Sequence, residues 1–238
     1  MSIRPALTFA TLCSLLPGLT SFAHATDLTS ARKREILSGI HRIAIISPFF
    51  GVDASEKPAD APPREYADEL AKLLDHTGSA LPKRIAARTP YEIVPAAEVS
   101  QALKELELAP ARLFQGDGKM KGGRFAAPDP IAVKRLAARL HADAILLTTL
   151  DEPIKKGAQY SLDPINGLSY DSPHVSSKAA FYVDQSDGTE VLHDFVEALH
   201  PLTRGKRRSY VLADWQEATD TVVEDFLDEL TRYTPAQR

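Results

Sequence analysis

The decapeptide His141 to Leu150, His-Ala-Asp-Ala-Ile-Leu-Leu-Thr-Thr-Leu, limits what this chain can become. It holds no charge after Asp143, and its apolar residues run without alternation. A strand with this pattern is buried on both faces, which happens in sheets that carry helices on each side. Ile131, Leu136 and Leu140, with Val133 and Ala137 beside them, recur just upstream at helical spacing. Asp129 reads as their N-cap, with Pro130 at the first helical position. The pair predicts a helix feeding directly into a central strand of an α/β layer.

Other segments supply the remaining layers. Ile43 to Ile46 is a second short apolar strand, stopped by Pro48, and Tyr91 to Pro95 a third. Lys178 to Asp184 alternates, Gln185 to Gly188 turns, and Val191 to Val196 returns. This predicts an antiparallel hairpin over 178–197. Between the strands, the spacing predicts a helix from Pro63 through Tyr66, Leu70, Leu73 and Leu74, with Gly78 as its stop. Val99, Leu103 and Leu106 mark another over Val99 to Leu108, ended by Pro110. Trp215, Ala218, Val222, Phe226 and Leu230 mark an amphipathic helix running to Tyr233, with Asp214 and Glu217 as a capping box. Three proline- and glycine-rich connections, Gly51–Pro63, Ala111–Pro128 and Asp151–Pro173, read as exposed loops and as contact surfaces. The expected fold is α/β: a single layered domain with a mixed sheet of about five strands covered by helices.

The chain opens with Arg4, an apolar run from Ala6 to Leu19, and Ala23-His24-Ala25, the small-x-small pattern of an export signal. That run is short and broken by Pro17 and Gly18, well under the roughly 20 residues that span a bilayer. Cleavage after Ala25 makes residues 1–25 a signal peptide. Residues 26–40 are then a polar helix or linker closed by Gly39, 41–233 the α/β domain, and 234–238 a tail. The sole cysteine, Cys13, leaves with the signal, so thiol nucleophiles and disulfides are excluded from the mature chain. Leu12 precedes Cys13 where a lipoprotein signal needs a small residue. An exported chain without cysteine fits a bacterial periplasm better than a disulfide-dense secretory route. The mature chain keeps 32 acids against 27 bases, a net charge of −5, which gives no field for nucleic acid.

Motifs for chemistry fail on spacing. In Gly116-Asp-Gly-Lys-Met-Lys-Gly-Gly, Lys119 is followed by Met120, where a phosphate loop needs a hydroxyl. Asp184, Ser186, Asp187 and Gly188 miss both ends of a calcium loop. His193 and Asp194 point to opposite faces of a strand and cannot readily share a metal. His141 belongs at a helix C-terminus, where the dipole favours it. Asp225, Asp228 and Glu229 lie on a solvated helix face. No cofactor or metal is expected, and no enzyme. The alternative is an envelope hydrolase whose site assembles from His174, His193 and an acid. A further alternative is a lipid or peptidoglycan binder using the basic run Arg204, Lys206, Arg207 and Arg208, the one candidate partner-binding cluster.

The order of Arg42 to Phe49, Tyr91 to Pro95, a helix containing Glu98, Leu140 to Leu147, and the hairpin Phe181 to Leu192 resembles a known α/β domain. That domain is shared by the amino-terminal domain of TolB, the curli-secretion protein CsgG and the penicillin-binding-protein activator LpoB. The resemblance covers residues 41–232. It implies a cell-envelope α/β domain that binds proteins, with no catalytic residues to carry over. The chain departs from CsgG and LpoB in lacking a lipidated cysteine. It also lacks paired alternating segments of about 10 residues for a membrane barrel. The expected partner is another envelope protein or a second copy of the chain. Amino-terminal sequencing of the exported protein should read Thr26-Asp27-Leu28; a chain that still begins at Met1 would contradict the export signal.

Overall fold

The computed structural model describes residues 28–51, 64–118, 125–151, 154–156, 159–163, 167–171, 174–201 and 212–235. Among these, the side chains of 64–67, 117, 154–176 and 200–201 lie outside the description. The central strand is β4, Ala144–Leu150, and all seven of its residues are buried. It pairs in parallel with β1, Arg42–Ile45, and with β2, Phe49–Phe50, on one edge. On its other edge it pairs antiparallel with β8, His174–Gln185. β3, Glu92–Ile93, extends the parallel side beyond β1, and β9, Glu190–Pro201, closes the antiparallel side beyond β8. β5, Ile154–Lys156, continues along the edge of β8 that β4 occupies. Seven segments thus fill five strand positions of one mixed sheet.

Side-chain alternation along β4 divides the core in two. Leu146 and Leu150, with Phe181 and Val183 of β8, face helices α2 (Arg64–Arg88) and α5 (Leu212–Tyr233). Helix α1, Ser30–Ser38, adds Leu37 to the same layer, with Thr29 as its N-cap and Gly39 closing it. Ile145 and Leu147, with Ala180 and Tyr182, face α3 (Ala96–Glu105) and α4 (Pro130–Leu140). Phe181 of β8 stacks on Phe226 of α5 with ring centroids 4.2 Å apart, which locks the last helix onto the hairpin.

Several sequence expectations need correction. Gly78 does not stop a helix: α2 runs on to Arg88, straight through Pro82. Pro82 lacks the N–H that would bond the Gly78 carbonyl, a cost of about 3 kcal/mol. Burial of Leu70 and Leu73 before it and Leu81 and Ile85 after it holds both halves against the core. At Gly78 the helix passes close to Pro48: a Cβ there would sit 3.3 Å from the proline ring, a tight contact. Arg84 and Arg88 then bind Asp220, Glu224 and Asp228 of α5 across the helix pair. Asp228 is therefore paired, and Glu229 holds Arg232, while Asp225 is exposed.

The connection 151–173 is not structureless. Besides β5 it forms a small separate hairpin, β6 (Gln159–Asp163) with β7 (Gly167–Asp171), in which Tyr160 opposes Tyr170. Helix α3 starts three residues before the expected Val99 and ends at Glu105. Asp214 is no N-cap; it lies buried inside the first turn of α5, which begins at Leu212. His141 caps α4 in a left-handed conformation, φ 49°. The described part of Ala111–Pro128 is anchored, since Leu113 and Phe114 are buried in the core and Phe114 bridges Pro128.

The turn of the β8–β9 hairpin packs on the start of α4 and gives two tests. Gly188 has φ +86°, and a Cβ there would lie 2.5 Å from the Pro130 carbonyl oxygen; Gly116 has φ +62° with open space around it. Gly116→Ala should therefore cost only the left-handed penalty, about 1 kcal/mol. Gly188→Ala should cost at least about 1 kcal/mol more in denaturant melts; equal costs would show that the turn does not press on α4. Asp184, one residue before that turn, is 1 % exposed, and burial, then Glu190 and Asp187, push its carboxyl up to about 8. A raised acid stabilises fold with its proton on, so stability is lost as pH climbs from the unfolded value near 4 through about 8. Asp184→Asn should match wild type in melting temperature at pH 4 and exceed it at pH 8; a pH-independent difference would contradict the buried carboxyl.

Candidate functional site

The histidines singled out by sequence do not converge. His193 opposes Tyr182 across the hairpin and stacks on its ring at 4.4 Å. His174 lies eight residues before Tyr182 on β8, about 26 Å away at roughly 3.3 Å per residue. That separation removes the His174–His193 site as drawn. Asp194 turns to the α5 side, opposite to His193, and its carboxyl is raised by burial and by Glu229. The His174 and His200 side chains lie outside the described residues, and so does the whole run Arg204, Lys206, Arg207 and Arg208.

In open α/β sheets, ligands favour the crevice beyond the carboxyl ends of the parallel strands. Here aromatic rings fill that neighbourhood. Phe49, just past β1, meets Phe114 edge-on at 5.2 Å, and Phe114 meets Tyr182 edge-on at 5.8 Å. Asp184 is sealed in the core and out of reach of a ligand.

An open cleft lies on the outer side of these rings. After α3, the left-handed Glu107 at φ 54° reverses the chain. The 3₁₀ turns Pro110–Leu113 and Gln115–Gly118 then lead back along α4. Leu113 and Phe114 go inward, and this turns Arg112 outward. On the opposite wall, the Asp129 carboxylate accepts from the Ile131 and Ala132 N–H groups and fixes where α4 begins. Ala132, Val133, Leu136, Ala137 and Leu140 take the buried stripe. Ile131, expected among the core residues, is 72 % exposed instead, and Arg135, one turn on, shares its face. The cleft between the walls measures about 370 Å³, with Leu108, Phe114, Ile131 and Ala132 as its apolar lining and Arg112 and Arg135 at its margins.

The charges at this cleft are distinctive. Arg32, Arg42, Arg84, Arg88, Arg139 and Arg232 each hold a carboxylate. Arg112 and Arg135 make no ion pair with any described residue. Asp129, the acid in the lining, is already engaged by the helix N-terminus. Two guanidinium groups with ten N–H donors between them therefore face solvent beside apolar surface.

A second apolar patch lies nearby. Phe195 opposes Ala180 and Leu199 opposes Ser176, so both project from the sheet face that α3 and α4 cover. The helical cover thins before β9, leaving Phe195 51 % and Leu199 59 % exposed. Phe125 packs on Phe195 with centroids 5.6 Å apart, and residues 125–131 carry the chain from this patch to the cleft. Of the three loops read as contact surfaces, Ala111–Pro128 is the one whose described part borders the cleft. Gly51–Pro63 lies outside the described residues beyond Gly51. No single local pattern announced the cleft. A clue was Ile131, an apolar residue one place ahead of the buried stripe.

No family model matches the sequence, and no curated protein matches it. Among solved structures, a hypothetical protein of Chlamydia trachomatis is similar with 12% identity and a TM-score of 0.45, over 82% of this chain and 97% of that one. A lipoprotein of Neisseria meningitidis is similar with 15% identity and a TM-score of 0.37, over 78% and 99%. The carboxy-terminal domain of LpoB from Salmonella enterica is similar with 11% identity and a TM-score of 0.29, over 71% and 93%. Likenesses this distant leave the function to be read from the chain's own residues.

Proposed function

We propose that this chain is a non-catalytic binding module of the bacterial cell envelope that acts through protein–protein contacts. The observation that carries this reading is the exposed apolar surface around the start of α4. Ile131 lines a cleft flanked by two arginines that make no ion pair with any described residue, and residues 125–131 lead from it to Phe125, Phe195 and, further along β9, Leu199. Protein interfaces concentrate apolar and aromatic side chains in their centres together with arginine. Contiguous exposed apolar surface costs solubility unless a partner covers it. The amino-terminal export pattern supports an envelope location, and the mature chain then meets its partner in the periplasm.

The sheet edge reinforces the reading. Among the described residues, β9 pairs on one side only, so its outward N–H and C=O groups are open to a further strand. Asp194 and Glu197 place acidic groups along that strand, which guards it against indiscriminate pairing while a chosen partner docks on the neighbouring apolar residues.

Photo-crosslinking in intact cells tests this directly. A photoreactive residue in place of Phe195, Leu199 or Ile131 should give a discrete adduct with one envelope protein. The same residue in place of exposed Lys104 on α3 should not. Adducts only between copies of this chain would make self-association the role of the surface, and no adduct at any of the three positions would remove the proposal.

A further inference from the structure

We infer that the cleft between the Pro110–Gly118 turns and α4 takes a short acidic, apolar segment of the partner protein. Its apolar side chain would lie against Leu108 and Ile131, and its carboxylate between Arg112 and Arg135. This deepens the binding-module reading and rests on it.

Three features select that occupant. The first is charge. Arg112 and Arg135 are exposed and make no ion pair with any described residue, while the one carboxylate in the lining, Asp129, is bound to two backbone N–H groups. A guanidinium matches a carboxylate with two parallel hydrogen bonds, a fit that a lysine would not give. The surroundings make this local positive charge selective, because the mature chain as a whole is acidic. Acidic surfaces elsewhere repel an acidic segment, and the cleft attracts it.

The second feature is the floor. Phe114 is 3 % exposed and wedged between Phe49 and Tyr182, so it underlies the cleft as a fixed support and contributes little contact surface of its own. Ile131 stands on the first turn of α4, whose position is set by the Asp129 cap and by the Gly188 turn packed on Pro130. An apolar side chain arriving here meets a preformed surface. The exposed lining is more polar than apolar, with Ile131 as its one strongly exposed apolar side chain; a bare phosphate or a lipid headgroup would use the arginines and leave Ile131 uncovered, so the observations favour a peptide.

The third feature is size. About 370 Å³ lies at the small end of the range, about 300–1,000 Å³, found for ligand sites. That admits a few side chains of an extended segment and excludes a folded domain. Its mouth is continuous through residues 125–131 with the Phe125–Phe195 patch, so the rest of the partner has a surface to lie on.

Panning a random dodecapeptide library against the mature chain tests the inference. The expected enrichment pairs Asp or Glu with Leu, Ile or Phe, and it should vanish on the Arg112→Glu/Arg135→Glu variant. A synthetic peptide of the enriched sequence should bind less tightly at high salt, and should lose at least about tenfold in affinity on either single reversal. Changing its acids to amides should cost as much. Both arginines are exposed and make no ion pair with any described residue, so the variants should keep the wild-type melting temperature; an Arg112→Gln/Arg135→Gln variant serves if the reversal unfolds the chain. No enrichment, a consensus without acid, or binding that survives the reversals would overturn the inference. So would binding of phosphatidylglycerol vesicles, but of no peptide, through the same arginines. Crosslinks from Phe195 that persist in the double variant, alongside failed peptide binding, would confine the failure to the cleft. Loss of the Phe195 crosslinks from the wild type would instead remove the binding-module reading itself.

Discussion

Everything in this fold is arranged around seven residues that never meet water. β4 is hydrogen-bonded on both edges and covered on both faces, so Ala144, Leu146 and Leu150 find apolar partners in one helical layer and Ile145 and Leu147 in the other. Burying a side chain of the size of Leu or Ile is worth roughly 1.5–3 kcal/mol. The strand thus draws α2 and α5 to one side and α3 and α4 to the other. Its neighbours differ in direction for a simple reason. β1 joins it in parallel after long helical crossovers, and β8 joins it antiparallel before turning tightly into β9.

The surface follows from how that covering ends. Two layers of helices suffice for β1, β4 and β8, but on the α3/α4 side they thin before β9, and Phe195 and Leu199 are left in solvent. The Pro110–Gly118 turns fill the gap at the carboxyl ends of the parallel strands by driving Leu113 and Phe114 into the core. The same insertion turns Arg112 outward, opposite Arg135. The cleft is therefore a by-product of core packing that places charge and apolar surface side by side. Function, on this view, is carried by geometry at the rim of the sheet, where Phe49, Phe114 and Tyr182 pack edge to edge.

Misreadings of the sequence come where turn and cap residues read as boundaries. Gly78 and Pro82 carry strong local signals for a helix end, yet buried apolar residues on both sides outweighed them, and the Gly78 site serves contact with Pro48. The prolines and glycines of 151–173 suggested a loop, whereas two short segments there pair with each other as β6 and β7. Asp214 looked like a cap by its spacing to Glu217, but α5 had already begun at Leu212. In α2 a local preference of about 3 kcal/mol met burial of similar or larger size, whereas the β6–β7 pairing is itself local.

The sequence alone determined the α/β class, the helix-to-strand passage from Asp129 to Leu150, the hairpin over 178–197 and the buried stripe of the last helix. These are written in local periodicity, which depends only on how side chains repeat along a helix or a strand. Tertiary structure alone decided the strand order, the separation of His174 from His193, the exposure of Ile131 and the meeting of Arg112 with Arg135. Those outcomes depend on which distant segments share a face, and no local repeat encodes that.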